Sequence, residues 1–322
     1  MNYRELGSTG IVVSEIGFGA WGIGGESAGA TSYGKTKDSE SKKSIELAVE
    51  CGINFFDTAP PYGDGHSEIL LGDVLSPIRS QVVLTTKIGI MSFGAPPDFS
   101  SQQIRCSLYE SLRRLKTDYL DLLQVHNGNI DVVMSNPGLL DELIKFKAEG
   151  LIRAIGVTVK SPLDALSLLQ KFEFATVQVN LNMLDMRAID CGLLEYAVYN
   201  KIGVIARTPL AFGFLSGNID RGTQFSSNDH RSNWPKEQLD RWLEVSDRLF
   251  GCVLELSNLR RAIQAIRFCL SIDGVSTVIP GMIKPEEVLE NVIASQLGSL
   301  SALDIHSIKQ EYVKVKDWLI IQ

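Results

Sequence analysis

Eight short apolar runs alternate with amphipathic stretches along the whole chain, and no linker or compositional shift divides it. These observations predict an α/β fold, a single (β/α)₈ TIM barrel over residues 1–322. The runs are 16–20, 53–59, 82–88, 119–125, 152–158, 176–180, 203–208 and 275–279. They are apolar nearly throughout instead of alternating, as parallel strands covered on both faces are. An open doubly wound sheet is the competing arrangement, and ranks second because the chain does not fall into two halves.

The elements follow in order. Residues 3–6 and 11–15 flank a Gly7-Ser8-Thr9-Gly10 turn and read as an N-terminal β-hairpin. Helical patterns lie near 40–51, 67–75, 101–116, 138–149, 162–171, 190–201, 258–271 and 285–295. Ser161-Pro162 places a capping residue before proline at a first helical position, and Lys284-Pro285-Glu286-Glu287 puts two acids in a first turn. Residues 211–257 break the rhythm after the seventh barrel strand and contain an extra helix near 235–250. An insertion there falls on the C-terminal face, where barrels build sites from their βα loops. A further amphipathic helix is expected over 302–318.

Hydrophobic residues make up 44% and charged residues 21%, enough apolar content for a sizeable core. A net charge of −7 argues against nucleic-acid or anionic-membrane partners, although a local basic pocket can still take an anion. Cys51, Cys106, Cys191, Cys252 and Cys269 are scattered without a C-x-x-C pair, which reads as reduced thiols in a cytoplasmic protein. The N-terminus lacks the charged and then apolar run of a signal peptide, and no stretch reaches the ~20 apolar residues of a membrane span. His66, His126, His230 and His306 fall on separate segments, so no metal site is expected. Oligomeric state leaves no mark in the sequence.

Gly17-Phe-Gly19-Ala-Trp-Gly22 has the spacing of a dinucleotide-binding fingerprint. That motif works only where a helix opens at the third glycine and carries the pyrophosphate on its N-terminus. Here Ile23-Gly-Gly-Glu-Ser follows, a loop and not a helix, so the glycines read as letting a loop pass close to a ligand at the barrel mouth.

Four polar residues stand at the ends of three successive predicted strands. They are Asp57 and Tyr62 in Asn54-Phe-Phe-Asp57-Thr-Ala-Pro-Pro-Tyr62-Gly63, Lys87 in Leu84-Thr-Thr-Lys87, and His126 in Leu122-Leu-Gln-Val-His126. Taken singly, each has a plain structural reading: a turn aspartate, a loop aromatic, a snorkelling lysine, a rim histidine. Jointly they form a proton-transfer set for carbonyl reduction. Tyrosine is a weak acid, with an unperturbed pKa near ~10; an adjacent ammonium favours the phenolate, and a carboxylate holds that ammonium in place. Histidine can hydrogen-bond the carbonyl oxygen and polarise it.

The segments Phe56-Asp57-Thr-Ala-Pro-Pro-Tyr62-Gly63, Thr86-Lys87, Val125-His126, Gly17-Phe-Gly19-Ala-Trp21-Gly22 and Ile279-Pro280-Gly281…Glu290-Asn291 resemble the signatures of the aldo-keto reductases, over nearly the whole chain. The resemblance implies catalysis by Tyr62 as general acid, tuned by Lys87 and Asp57, with His126 orienting the carbonyl. It implies NADP(H) as cofactor, with NAD(H) use as well. Gln178 matches the glutamine that binds the nicotinamide carboxamide. Arg207-Thr208-Pro209-Leu210…Gly213 matches the loop over nicotinamide and pyrophosphate, in an Ile-Ala-Arg-Thr-Pro-Leu form similar to a group of bacterial members. Many members have an aromatic residue where Arg207 stands, and a guanidinium can also stack on a flat ring. Gly19, Ala20, Trp21, Asp57, Gly281, Glu290 and Asn291 complete the implied cofactor contacts. Trp21, Tyr62, His126 and Asn127 are the implied substrate contacts.

Two departures bear on the cofactor. The family's usual Gly-Val-Ser-Asn is Gly156-Val157-Thr158-Val159 here, so Thr158 keeps a hydroxyl while Val159 loses an amide. Glu287 stands where a basic residue often clamps the 2′-phosphate. A carboxylate repels a phosphate but accepts a hydrogen bond from a free ribose hydroxyl, which predicts reduced NADP preference. The expected partner is a small carbonyl or sugar substrate. Its pocket walls are expected to include Asp229, Arg231 and Trp234, or else Arg231 pairs with Asp229 and holds the loop closed. The rival reading is a cofactor-binding regulatory barrel without efficient turnover.

Overall fold

A two-stranded hairpin opens the chain in the computed structural model, which describes residues 1–27, 31–254 and 258–319. Residues 255–257, the end of the expected 211–257 insertion, lie outside the described residues. β1 (Tyr3–Glu5) pairs antiparallel with β2 (Val12–Ser14). Its apolar side closes the barrel floor: Leu6, Ile11 and Val13 bury against Phe55, Val83, Leu122, Ala154, Ile205 and Ile279.

Eight parallel strands follow: β3 (Phe18–Gly19), β4 (Phe55–Asp57), β5 (Val83–Ile88), β6 (Leu120–Val125), β7 (Ile152–Thr158), β8 (Thr176–Asn180), β9 (Gly203–Arg207) and β10 (Val275–Ile279). Each pairs with the next in sequence. β3 meets β10 through parallel bridges at Ile16–Val278 and Gly19–Gly281, which close the barrel. The seam is tight. Gly19 N donates to Pro280 O at 3.0 Å, and a Cβ on Gly19 would lie 2.8 Å from that same oxygen. Closure at this point therefore requires glycine.

The outer layer comprises α1 (Asp38–Glu50), α2 (His66–Leu75), α3 (Ser101–Leu115), α4 (Ile130–Ser135), α5 (Pro137–Ala148), α6 (Pro162–Lys171), α7 (Arg187–Asp190), α8 (Leu193–Tyr199), α9 (Lys236–Phe250), α10 (Arg261–Leu270), α11 (Pro285–Leu297) and α12 (Ala302–Val315). The larger apolar core lies between strands and helices. The expected cap is present at α6, where Ser161 Oγ accepts from Asp164 N at 3.3 Å.

Three expectations are corrected. The helix predicted over 190–201 is broken into α7 and α8, because Gly192 adopts a left-handed φ of 77° between them. The short α4 was not expected; Asn129 caps it by accepting from Val132 N at 2.8 Å. The glycine-rich stretch after β3 makes one turn of 3₁₀ helix at Gly22–Gly24. Protein fills the space beside these glycines. A Cβ on Gly22 would meet Ile283, and one on Gly24 would meet the Tyr62–Gly63 backbone at 2.8–2.9 Å.

Candidate active site

Inward-facing positions of the strands stack a polar layer above the apolar floor. Register aligns Asp57 with Thr85 and Lys87 with Gln124, so β4, β5 and β6 deliver their polar side chains to one level. Lys87 is fully buried. Its ammonium donates to Asp57 Oδ2 at 2.7 Å, to Thr58 O at 2.8 Å and to Tyr62 OH at 3.2 Å, which uses all three protons. Burial works against that charge, but Asp57 and Tyr62 outweigh it and raise the Lys87 pKa above the usual lysine value.

The other oxygen of Asp57 accepts from Gln178 Nε2 at 2.8 Å and from Gln124 Nε2 at 3.1 Å; Gln124 also donates to Thr85 Oγ1 at 2.9 Å. The carboxylate is thus held on both sides. Gln124 is a site residue that the sequence reading missed, although a glutamine in the otherwise apolar strand Leu120–Val125 was the available signal. Tyr62 sits on the loop after β4, where Pro60 and Pro61 restrict the backbone and Tyr62 N donates to Ala59 O at 3.1 Å. Gly63, with φ 62°, turns the chain immediately afterwards against Gly24.

His126 presents its ring edge-on to Tyr62 with centroids 6.3 Å apart, and its Nδ1 is buried without a hydrogen-bond partner. Burial, then the nearby charges of Lys87, Arg207 and Lys160, hold its pKa well below the ordinary histidine range. The imidazole is therefore neutral at pH 7, and one ring nitrogen carries a proton to donate.

A cleft of about 790 Å³ runs across the C-terminal ends of the strands. It is lined by Gly19, Ala20, Trp21, Asp57, Tyr62, His126, Asn127, Gln178, Arg207, Thr208, Leu210, Gly213, Gly281, Glu287, Glu290 and Asn291. Lys87 lies behind Tyr62 and Asp57. Of the implied cofactor contacts Thr158 alone does not reach the cleft: it is fully buried, and its hydroxyl accepts from Asn127 N at 2.8 Å. The lining also includes Tyr33, Phe93, Lys160 and Asn180, which the sequence reading did not name. Lys160 and Asn180 follow or end strands as the tetrad does, a signal present in the sequence and not used.

Arg207 ends β9. Its guanidinium donates to Asn180 Oδ1 at 2.8 Å, Val159 O at 2.8 Å and Asn127 Oδ1 at 3.4 Å. The following loop takes left-handed φ values at Thr208, Ala211 and Phe212 (52°, 45° and 57°), which turn it over the cleft. Glu287 spends Oε2 on its own helix start, accepting from Ile283 N at 2.7 Å and Lys284 N at 3.1 Å. Asp229 and Arg231 form a bidentate pair, with Nε to Oδ1 at 2.9 Å and Nη2 to Oδ2 at 2.5 Å, and both line the cleft. Trp234 does not line it. The ring stacks on Phe214 at 6.0 Å, behind the loop.

The cleft suits a nicotinamide dinucleotide. At the end formed after β10, the amide nitrogen of Asn291 is buried without a partner, and the space beside Gly281 is open for at least 4 Å around a built Cβ. At the other end stand the neutral histidine and the phenol.

Residues 15–312 match the model of the Aldo/keto reductase family. The chain is 33% identical over 310 residues to L-galactose dehydrogenase of Arabidopsis thaliana, covering 92% of this chain and 89% of that protein. It is 32% identical over 313 residues to the NADH-specific methylglyoxal reductase of Escherichia coli (strain K12), covering 91% and 93%. Among solved structures, the glycerol dehydrogenase from Gluconobacter oxydans superimposes with a TM-score of 0.80 at 28% identity, covering 97% of this chain and 95% of that one. The holo form of an aldo-keto reductase from Bacillus halodurans gives 0.78 at 27%, covering 97% and 96%. The chain is a (β/α)₈-barrel oxidoreductase and belongs to the aldo/keto reductase family.

Proposed function

We propose that this chain interconverts a small aldehyde, ketone or sugar carbonyl with its alcohol, using NAD(P)(H), with Tyr62 as the general acid in reduction and the general base in reverse. The observation that carries this reading is the hydroxyl of Tyr62 set 3.2 Å from an ammonium that is itself fixed by Asp57 and Thr58.

A nicotinamide dinucleotide held by the cleft would supply the hydride for the carbonyl carbon. Neutral His126 donates a hydrogen bond to the carbonyl oxygen and polarises it. Tyr62 then gives its proton to that oxygen. The negative charge left on the phenolic oxygen is met at once by the Lys87 ammonium, with no side-chain movement needed. Asp57 stabilises the ammonium, while Gln124 and Gln178 keep the carboxylate aimed at it. Trp21 and Phe93 add apolar wall to the cleft.

Gln178, Arg207, Thr208, Leu210 and Gly213 are positioned to hold the nicotinamide and pyrophosphate end, and Glu290 and Asn291 the adenine. Family resemblance favours NADP(H), while the Glu287 carboxylate at the adenosine end favours a free ribose hydroxyl and therefore NAD(H) use. The test is NADH and NADPH oxidation across aldehydes, ketones and keto-sugars. Tyr62→Phe should lose about 10³-fold in kcat, within the range for one general acid, and retain dinucleotide affinity within a few-fold. Full activity in Tyr62→Phe sinks the assigned role.

A further inference from the structure

Two cations of the cleft, Lys160 and Arg207, form no ion pair among the described residues. Lys160 lies two residues beyond β7 and lines the cleft. Arg207 is bonded to three oxygens, all of them neutral: Asn180 Oδ1, Asn127 Oδ1 and Val159 O. The carboxylates of the cleft are all engaged elsewhere. Asp57 pairs with Lys87, Asp229 with Arg231 and Glu290 with Arg260, and Glu287 caps its helix. In a chain of net charge −7, two uncompensated cations beside the catalytic pair form a local exception.

Arg207 is half-buried among neutral acceptors and Lys160 stands exposed at the cleft rim, so an anion in the cleft would meet one partly desolvated cation and one unpaired one. Hydrogen-bonding groups share the same wall, Asn127 and Asn180 among them. Resting on the carbonyl-reductase reading above, we propose that Lys160 is a specificity-determining residue, selecting carbonyl substrates that bear a carboxylate, such as oxo acids and sugar acids. The reaction is unchanged: the carbonyl is reduced, and the carboxylate stays ionised against the Lys160 ammonium. Arg207 contributes background positive potential from its fixed place.

The test compares 4-carboxybenzaldehyde with its methyl ester, methyl 4-formylbenzoate, which differ chiefly by the charge. In the holoenzyme the acid-to-ester ratio of kcat/KM should fall about tenfold in Lys160→Met, through KM. It should recover in Lys160→Arg and shrink as salt screens the pair. An unchanged ratio in Lys160→Met overturns the proposal. A loss of dinucleotide affinity with an unchanged ratio overturns it too, since the lysine would then serve the cofactor phosphates. Terephthalate, which has no carbonyl to reduce, separates this idea from the reductase reading. Its binding, read by quenching of tryptophan fluorescence, should weaken about tenfold in Lys160→Met even if neither aldehyde turns over. Equal terephthalate binding by both proteins counts against Lys160 whatever the turnover.

Discussion

Lys87 and Asp57 perform two tasks at once, and the two can be separated by mutation. The pair is buried, so each charge depends on the other. Lys87→Met leaves the Asp57 carboxylate facing two amide donors and no cation, a loss expected to cost about 3–5 kcal/mol. Lys87→Met with Asp57→Asn removes both charges and fills much of the same volume, so it should regain most of that stability. Neither variant should reduce carbonyls, because the phenolate of Tyr62 has lost its counter-charge in both. Thermal or urea unfolding at pH 7 measures the first effect and single-turnover assays the second. A double variant no more stable than Lys87→Met would show that shape, and not charge pairing, dominates this layer. Gln124 marks the limit of single-residue reading here: its chemistry was visible, but that it faces Asp57 follows only from strand register.

The elements were legible where a local rule acts alone. The apolar runs became strands because both of their faces are covered, and Ser161-Pro162 starts α6 as its chemistry requires. Boundaries shifted where tertiary contacts compete. The expected strand 16–20 shortens to Phe18–Gly19, with Gly17 N donating to Val278 O of β10 and Ala20 N to Asp57 O of β4 on either side of it. Glu287 shows an element using a residue that was singled out for a ligand. Its carboxylate holds the N-terminus of α11 while it lines the end of the cleft formed after β10. Glu287→Gln keeps an oxygen to accept both backbone bonds and removes the negative charge. Stability should therefore change by less than about 1 kcal/mol. NADPH affinity should rise several-fold relative to NADH, measured by fluorescence titration of each. Parallel changes in both affinities would show that the charge of Glu287 does not discriminate the 2′-phosphate.

At the scale of the whole molecule, two loops far apart in sequence meet over the cleft, a contact no local pattern announces. The loop after β3 and the insertion after β9 join through a Ser32–Asp229 bridge, His230 N to Ser32 O at 2.9 Å, and Asn228 Nδ2 to Glu26 Oε1 at 2.7 Å. Trp21, Tyr33, Phe212 and Trp234 surround the His230 ring at centroid distances of 5.0–5.3 Å. Arg231 ties this roof to the loop below. It clamps Asp229, donates to Phe212 O at 2.9 Å, and lies 4.8 Å over Tyr33 and 4.4 Å over Phe225. A dinucleotide lying in the cleft beneath this roof would have to leave past the join, so its dissociation rate is expected to depend on the join. Arg231→Lys keeps a cation for Asp229 but forfeits the planar fork and its stacking. The dissociation rate of NAD(P)H, followed by stopped-flow fluorescence, should rise about tenfold, which corresponds to about 1.4 kcal/mol of lost closure. The hydride-transfer rate in a single turnover should change little, because Arg231 bonds Asp229 and Phe212 and, among the described residues, none of Tyr62, Lys87 and His126. An unchanged dissociation rate would mean that the roof opens by some other hinge, and that the Asp229–Arg231 pair serves only to fold the insertion.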